Sequence, residues 1–161
     1  ELAALLTRHP WIQSAKVKWR WPNCLLISIQ ERTPVAQVPI EGGWVFLDRE
    51  GQLLPPMENR LLPDLPIVTN VDLEVREQLM ATARLITLIP AHILPSISEW
   101  NAQERVFVTR SGVEIAIGEP VELADKFALL EQILQDLQAR GERPERIDLS
   151  VLKTPVVTLV R

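Results

Sequence analysis

No disulfide can close within this chain, because Cys24 is its single cysteine. The two histidines, His9 and His92, are too distant in sequence to build a zinc site with it. The cysteine count therefore neither shows nor excludes an oxidising compartment. No run approaches the roughly 18–20 consecutive apolar residues that span a bilayer, and no charged-then-apolar signal opens the chain. Positive charge is not in excess. Seventeen Lys and Arg against 21 Asp and Glu leave a net charge of −4, which argues against a surface built throughout to grip nucleic acid. Tyrosine is absent.

What is present is enough for a packed core. The 161 residues are 47% apolar and 24% charged, which excludes a wholly disordered segment and suits one domain or two small ones. Thirteen prolines imply many short elements with firm stops between them, and argue against long helical bundles.

The first residues read as a helix, with Leu2, Leu5 and Leu6 on one side and Arg8-His9-Pro10 as its end. From Ala15 the period becomes two. Ala15, Val17, Trp19 and Trp21 point one way and Lys16, Lys18 and Arg20 the other; after a Pro22-Asn23 turn, Leu25, Ile27 and Ile29 alternate again. This predicts a helix followed by two antiparallel strands, with Trp19 and Trp21 buried. Pro39, Gly42 and Gly43 mark residues 37–43 as a linker between two separately packed cores.

Beyond it, residues 44–47 and 52–54 flank Asp48-Arg49-Glu50-Gly51 as a hairpin, and the prolines of 55–70 predict extended loop. Asn70 or Asp72 should cap a helix with Val75, Leu79, Ala83 and Ile86 on its buried face. Strands are expected at 96–100, 105–109 and 113–117. A helix opened by Pro120 should carry Leu123, Phe127, Leu130, Leu134 and Leu137 on one stripe and stop at Gly141. Ile147, Leu149 and Val151 then alternate toward the core, and Val156 to Val160 form a closing strand. The expected class is α+β: an α-β-β unit at 1–39, then a mainly antiparallel β domain with two helices at 40–161.

Residues that could carry chemistry do not converge. His9 and His92 sit at proline-marked helix ends, and Cys24 lies in a turn with no histidine nearby. Asp48 and Glu50 belong to a hairpin turn, Glu119 and Glu122 to the start of a helix, and Asp148 stands alone. No catalytic, cofactor-binding or metal-ligating residue is assigned, and no phosphate loop or nucleophile elbow is present. In residues 16–21, cations interleave with aromatics as in single-strand nucleic-acid binders, but a period of two puts the two kinds on opposite faces. The closing strand is β-branched and apolar; at a sheet edge it would offer unpaired backbone groups to a partner strand. Ser150, Val151, Lys153 and Thr154, with Val156, Val157, Thr158, Leu159 and Val160, are the candidate partner-binding residues.

Several of these segments share a family pattern. His9-Pro10-Trp11-Ile12, then Trp19-Arg20-Trp21-Pro22 and Glu31-Arg32-Thr33-Pro34-Val35-Ala36, resemble the end of the POTRA domain of FtsQ/DivIB, the bitopic bacterial cell-division protein family. Asp48-Arg49-Glu50-Gly51, Leu62-Pro63-Asp64-Leu65-Pro66 and Ile147-Asp148-Leu149 are similar to that family's β domain in order and spacing. Two departures stand out: Ser150 follows Asp148-Leu149 where the family has Arg, and Lys153-Thr154-Pro155 replaces a hairpin glycine.

The resemblance implies a divisome scaffold rather than an enzyme, without cofactors. FtsB-like and FtsL-like proteins would add a strand to the closing strands. It also implies that the first POTRA strand and helix, a single transmembrane helix and a cytoplasmic tail precede Glu1, with this region on the extracytoplasmic side of the cytoplasmic membrane. The alternative is another POTRA-bearing protein, a receptor in outer-membrane protein insertion or two-partner secretion, which would need a large alternating β-barrel after the POTRA units. A hydrolase using the scattered acids ranks last, for lack of a convergent cluster.

Overall fold

Helix α1 (Leu2–Leu6) ends in two further turns, where Arg8 N–H bonds Leu5 O and His9 N–H bonds Leu6 O before Pro10 stops it. This is a computed structural model, and it describes residues 2–56 and 64–160. Leu62 and Pro63 of the Leu-Pro segment lie outside the described residues.

Strands β1 (Ile12–Arg20) and β2 (Cys24–Glu31) form an antiparallel ribbon of their own, turning at Pro22-Asn23 after a cis Trp21–Pro22 bond. The register pairs Ala15 with Ile29, Val17 with Ile27 and Trp19 with Leu25, so one face is apolar as the alternation predicts. Burial does not follow the whole way. Ala15 and Val17 are half-buried, whereas Trp19 and Trp21 are 67% and 85% exposed, correcting the expectation that both are core. The cause is coverage: α1, five residues long, is the element that packs on β1, and the far end of the ribbon has nothing over it among the described residues.

The second expectation to be corrected is the linker. Residues 37–43 are not a spacer: β3 (Pro34–Ile40) pairs antiparallel with β4 (Gly43–Asp48), with Gln37 opposite Phe46 and Pro39 opposite Trp44, so a boundary at 39/40 falls inside a hairpin. Pro39 is tolerated because of where its nitrogen faces. Gln37 N–H bonds Pro66 O on the β6 side, and alternation puts the Pro39 nitrogen on that same side, past the single residue paired there. The predicted hairpin continues into β5 (Leu53–Leu54). Gly51 in its turn has φ +75°, and a Cβ there would lie 2.7 Å from the Met80 backbone nitrogen, so glycine is required twice over.

Strand β6 (Ile67–Thr69) lies inside the stretch expected to be loop; three residues are too few to show a period. Helix α2 (Arg76–Leu88) follows, with Leu79, Ala83 and Ile86 buried as predicted. Its N-cap is Val75 rather than Asn70 or Asp72, and no side chain caps it; Asp72 Oδ1 instead accepts Glu74 N–H at 2.9 Å in the preceding turn. Next come β7 (Ile97–Asn101), β8 (Val106–Thr109), β9 (Glu114–Ala116) and α3 (Leu123–Arg140), which stops at Gly141. Phe127, Leu130 and Leu137 of its predicted stripe are buried. The chain closes with β10 (Pro144–Asp148) and β11 (Val156–Leu159).

Nine strands form one mixed sheet in the order β11-β10-β9-β8-β7-β6-β3-β4-β5. Neighbours are antiparallel except β3 with β6, β6 with β7 and β9 with β10. A parallel pair needs a crossover, and α2 supplies it between β6 and β7 while α3 supplies it between β9 and β10. The fold is α+β. One continuous core joins both helices to the sheet, with Phe107 stacked between Trp100 at 4.4 Å and Phe127 at 6.3 Å between ring centroids. A smaller cluster, Trp11, Phe46 and Leu54 with Leu65 beside them, packs at the β4–β5 end.

Candidate functional site

Strand order decides which backbone edge is open. β11 pairs with β10 alone, so its outer side carries unpaired N–H and C=O groups. The Val160 N–H bonds Arg143 O at 3.0 Å. Alternation along the strand therefore turns the N–H groups of Val157 and Leu159 outward, toward any added strand. Val156 and Val160 are 60% and 61% exposed, and Val157 packs inward against the core.

The approach to β11 is a turn built on Asp148. Its carboxylate accepts Ser150 N–H at 2.9 Å, and hydrogen bonds from Ser150, side chain first and then backbone, hold it below the usual carboxylate range. Thr154 N–H bonds Val151 O at 3.1 Å. A Cβ on Gly118, whose φ is +64°, would sit 2.8 Å from the Ser150 Cβ, so the loop after β9 holds this turn at backbone distance. Ser150, Val151, Lys153 and Thr154 are all exposed beside the strand. The eight candidate partner residues other than Val157 are thus exposed, from this turn along β11. The alternation expected through Val151 stops earlier: Ile147 and Leu149 are fully buried, whereas Val151 is 58% exposed because β10 ends at Asp148.

The remaining candidates are drawn into local structure. Asp48 and Glu50 both bind Arg32, at 2.7 and 2.6 Å. That contact raises the arginine's pKa, with Asp48 the larger cause, and lowers that of Glu50. Glu119 pairs with Arg105, His92 lies 3.3 Å from Glu131, and His9 Nδ1 accepts Trp11 N–H at 3.3 Å. No group of three His, Cys, Asp or Glu side chains is placed to hold a metal among the described residues. Lys16 and Lys18 are exposed across the ribbon from the half-buried Val17, which keeps cations and indoles on opposite faces.

Two features were not foreseen. A cleft of about 510 Å³ lies between α2 and the ends of β6 and β7, lined by Asn70, Gln78, Thr82, Trp100 and Arg105 among others. Asn70 and Arg105 there have positive φ, a conformation no sequence period announces. The other is the contact of Trp11 and Arg32 with residues 46–55, whose partners are too far along the chain for local patterns to reveal.

Residues 36–150 match the family described as cell division protein FtsQ/DivIB, C-terminal, and residues 1–32 match the POTRA domain, FtsQ-type. A cell division protein FtsQ of Anaeromyxobacter sp. (strain K) is 29% identical across 99% of this chain and 58% of its own length. One from Myxococcus fulvus is 32% identical across 92% of this chain and 56% of its own. This chain thus spans under three-fifths of the length of these relatives. Among solved structures, the major extracytoplasmic domain of the trans isomer of DivIB from Geobacillus stearothermophilus is 19% identical. It aligns over 68% of this chain and 97% of that one, with a TM-score of 0.49. With the C-terminal family match running from β3 to the Ser150 turn and the POTRA match over α1, β1 and β2, the chain belongs to the FtsQ/DivIB family of cell division proteins.

Proposed function

We propose that this chain is a non-catalytic scaffold of the division septum that binds its partners by strand addition to β11. The observation that carries this reading is the open edge itself: a β-branched strand at the end of a nine-stranded sheet, with two N–H groups directed outward. Ser150, Val151, Lys153 and Thr154 would contact the incoming chain beside the strand, and Val156 to Val160 would form the ladder. FtsB-like and FtsL-like proteins are the proposed partners, on the strength of the family. The family also supports a place on the extracytoplasmic side of the cytoplasmic membrane, held by one transmembrane helix outside this sequence; no helix among the described residues is long and apolar enough to cross a membrane. Residues up to Arg32 are proposed as the C-terminal part of a POTRA domain, and those from β3 onward as the β domain.

The test deletes Val156 to Arg161 and measures folding by circular dichroism and binding of an FtsB-like peptide by calorimetry. A folded deletion with binding lost is the expected result. Leu159→Pro removes one outward donor and should weaken binding while the fold survives. Full affinity in a folded deletion would move the site elsewhere.

A further inference from the structure

Trp11 belongs by sequence to the turn between α1 and β1, yet its indole is buried against the other sheet. It packs on Phe46 with ring centroids 6.1 Å apart and on Leu54, is 2% exposed, and donates from Nε1 to the Pro55 carbonyl at 3.0 Å. Its own carbonyl accepts the Arg32 N–H at 2.8 Å, which ties it to the outgoing strand at the root of the ribbon. Arg32 then reaches across. One guanidinium nitrogen bonds Asp48 Oδ2 at 2.7 Å and Glu50 Oε2 at 2.6 Å, and Gln13 Nε2 takes the other Glu50 oxygen at 2.5 Å. Asp48 is itself fixed, because its second oxygen accepts the Glu50 and Gln52 N–H groups at 2.8 Å each.

Every receiving group lies in one stretch, residues 46–55, and every reaching group lies at the root of the ribbon. Between β2 and β3 the chain has only Arg32 and Thr33, which limits how far the ribbon can swing without choosing a direction for it. A buried aromatic peg flanked by charge-assisted hydrogen bonds supplies that direction.

We propose that this contact is a latch that holds the α1–β1–β2 unit in one orientation against the nine-stranded sheet. It goes beyond partner binding at β11: it makes the chain a rigid bracket, with the Cys24 turn at one end and the β11 edge at the other. Ion pairing without the peg would not do this, since exposed pairs are individually weak and Glu50 is half-exposed.

The native thiol provides the probe. Cys24 is exposed at the tip of the ribbon and Gln132 is exposed on α3. Nitroxides on Cys24 and on a Gln132→Cys variant of the full chain report the distance between units by pulsed dipolar spectroscopy. The expected result is one narrow distribution, broadened at least twofold by Trp11→Ala with Arg32→Gln. Circular dichroism controls for folding. Arg32→Gln alone leaves the peg and the core intact and removes the charge-assisted bonds to both acids, so it should give an intermediate width. Wild-type width in both variants overturns the latch, as does a wild-type distribution already as broad as that of the double variant.

Discussion

From inside the fold, the Lys126 ammonium donates to the Ile117 carbonyl at 2.7 Å, and a second bond runs to the Glu119 carbonyl at 2.8 Å. Lys126 is almost fully buried, and Glu122, the N-cap residue of α3, has φ +53° and makes no side-chain cap. The lysine therefore closes, from within the helix, the loop that a cap would otherwise steady. Lys126→Met leaves both carbonyls without that donor and should cost about 1–3 kcal/mol by chemical denaturation. Amide exchange should quicken at residues 117–122 first, and unchanged exchange there would show that the loop holds itself.

The tryptophans separate exposure from pattern. Trp19→Ala in this chain should change stability by no more than about 0.5 kcal/mol, because the indole meets mostly solvent. Phe107→Ala, in the aromatic stack, should cost about 3–5 kcal/mol. A large loss at Trp19 in urea titrations would mean that the ribbon face is covered in solution. Binding of single-stranded oligonucleotides that weakens steeply with salt would restore the nucleic-acid reading of residues 16–21.

Where the second unit begins can be tested by truncation. A fragment of residues 41–161 removes β3 from between β6 and β4 and takes Ala36 and Val38 out of the core, so it should not unfold cooperatively. Residues 33–161 keep the whole sheet and should fold, with a lower midpoint because Trp11 and Arg32 are gone. Calorimetry of the two fragments decides; cooperative melting of the shorter one would restore a boundary near residue 40.

The bridge to Glu50 should also be visible in pH dependence. Hydrogen bonds from Arg32, and then from Gln13, hold the Glu50 carboxyl below its ordinary range. A depressed folded pKa means stabilisation that is complete above the unfolded value, roughly 4.3, and lost as pH falls through the folded one. Wild type should therefore exceed Glu50→Gln by about 0.2–1 kcal/mol at pH 7, small because the group is half-exposed, and the gap should narrow below about pH 4. A gap that widens in acid would mean the carboxylate is not the stabilising form.

Periodicity was enough to place most elements, because a strand's alternation and a helix's three-and-four spacing depend on which side faces a core. It could not say what lies on that side. The same alternation holds for the half-buried Val17 and the exposed Trp19, and only the reach of α1 separates them. Parallel neighbours such as β6 and β7 leave no local signature, and β6 is shorter than a detectable period. The closing strand Val156 to Val160 reads as β-branched and apolar in sequence, while its standing at the end of the sheet requires the order of all nine strands. Trp11 and Arg32 were visible within their motifs, but their partners are 44 and 16 residues away.

The two ends of the nine-stranded sheet are unequal, and this limits what can assemble on it. β11 offers four residues of edge, whereas β5 at the opposite end offers two. Within the nine-stranded sheet β11 is thus the longer open edge, while the separate ribbon has outer edges of its own along β1 and β2. Two copies could pair β11 with β11 and close as a dimer, but that would occupy the groups a partner needs. Strand addition at β11, as proposed above, would therefore compete with self-pairing, because both use the outward N–H groups of Val157 and Leu159.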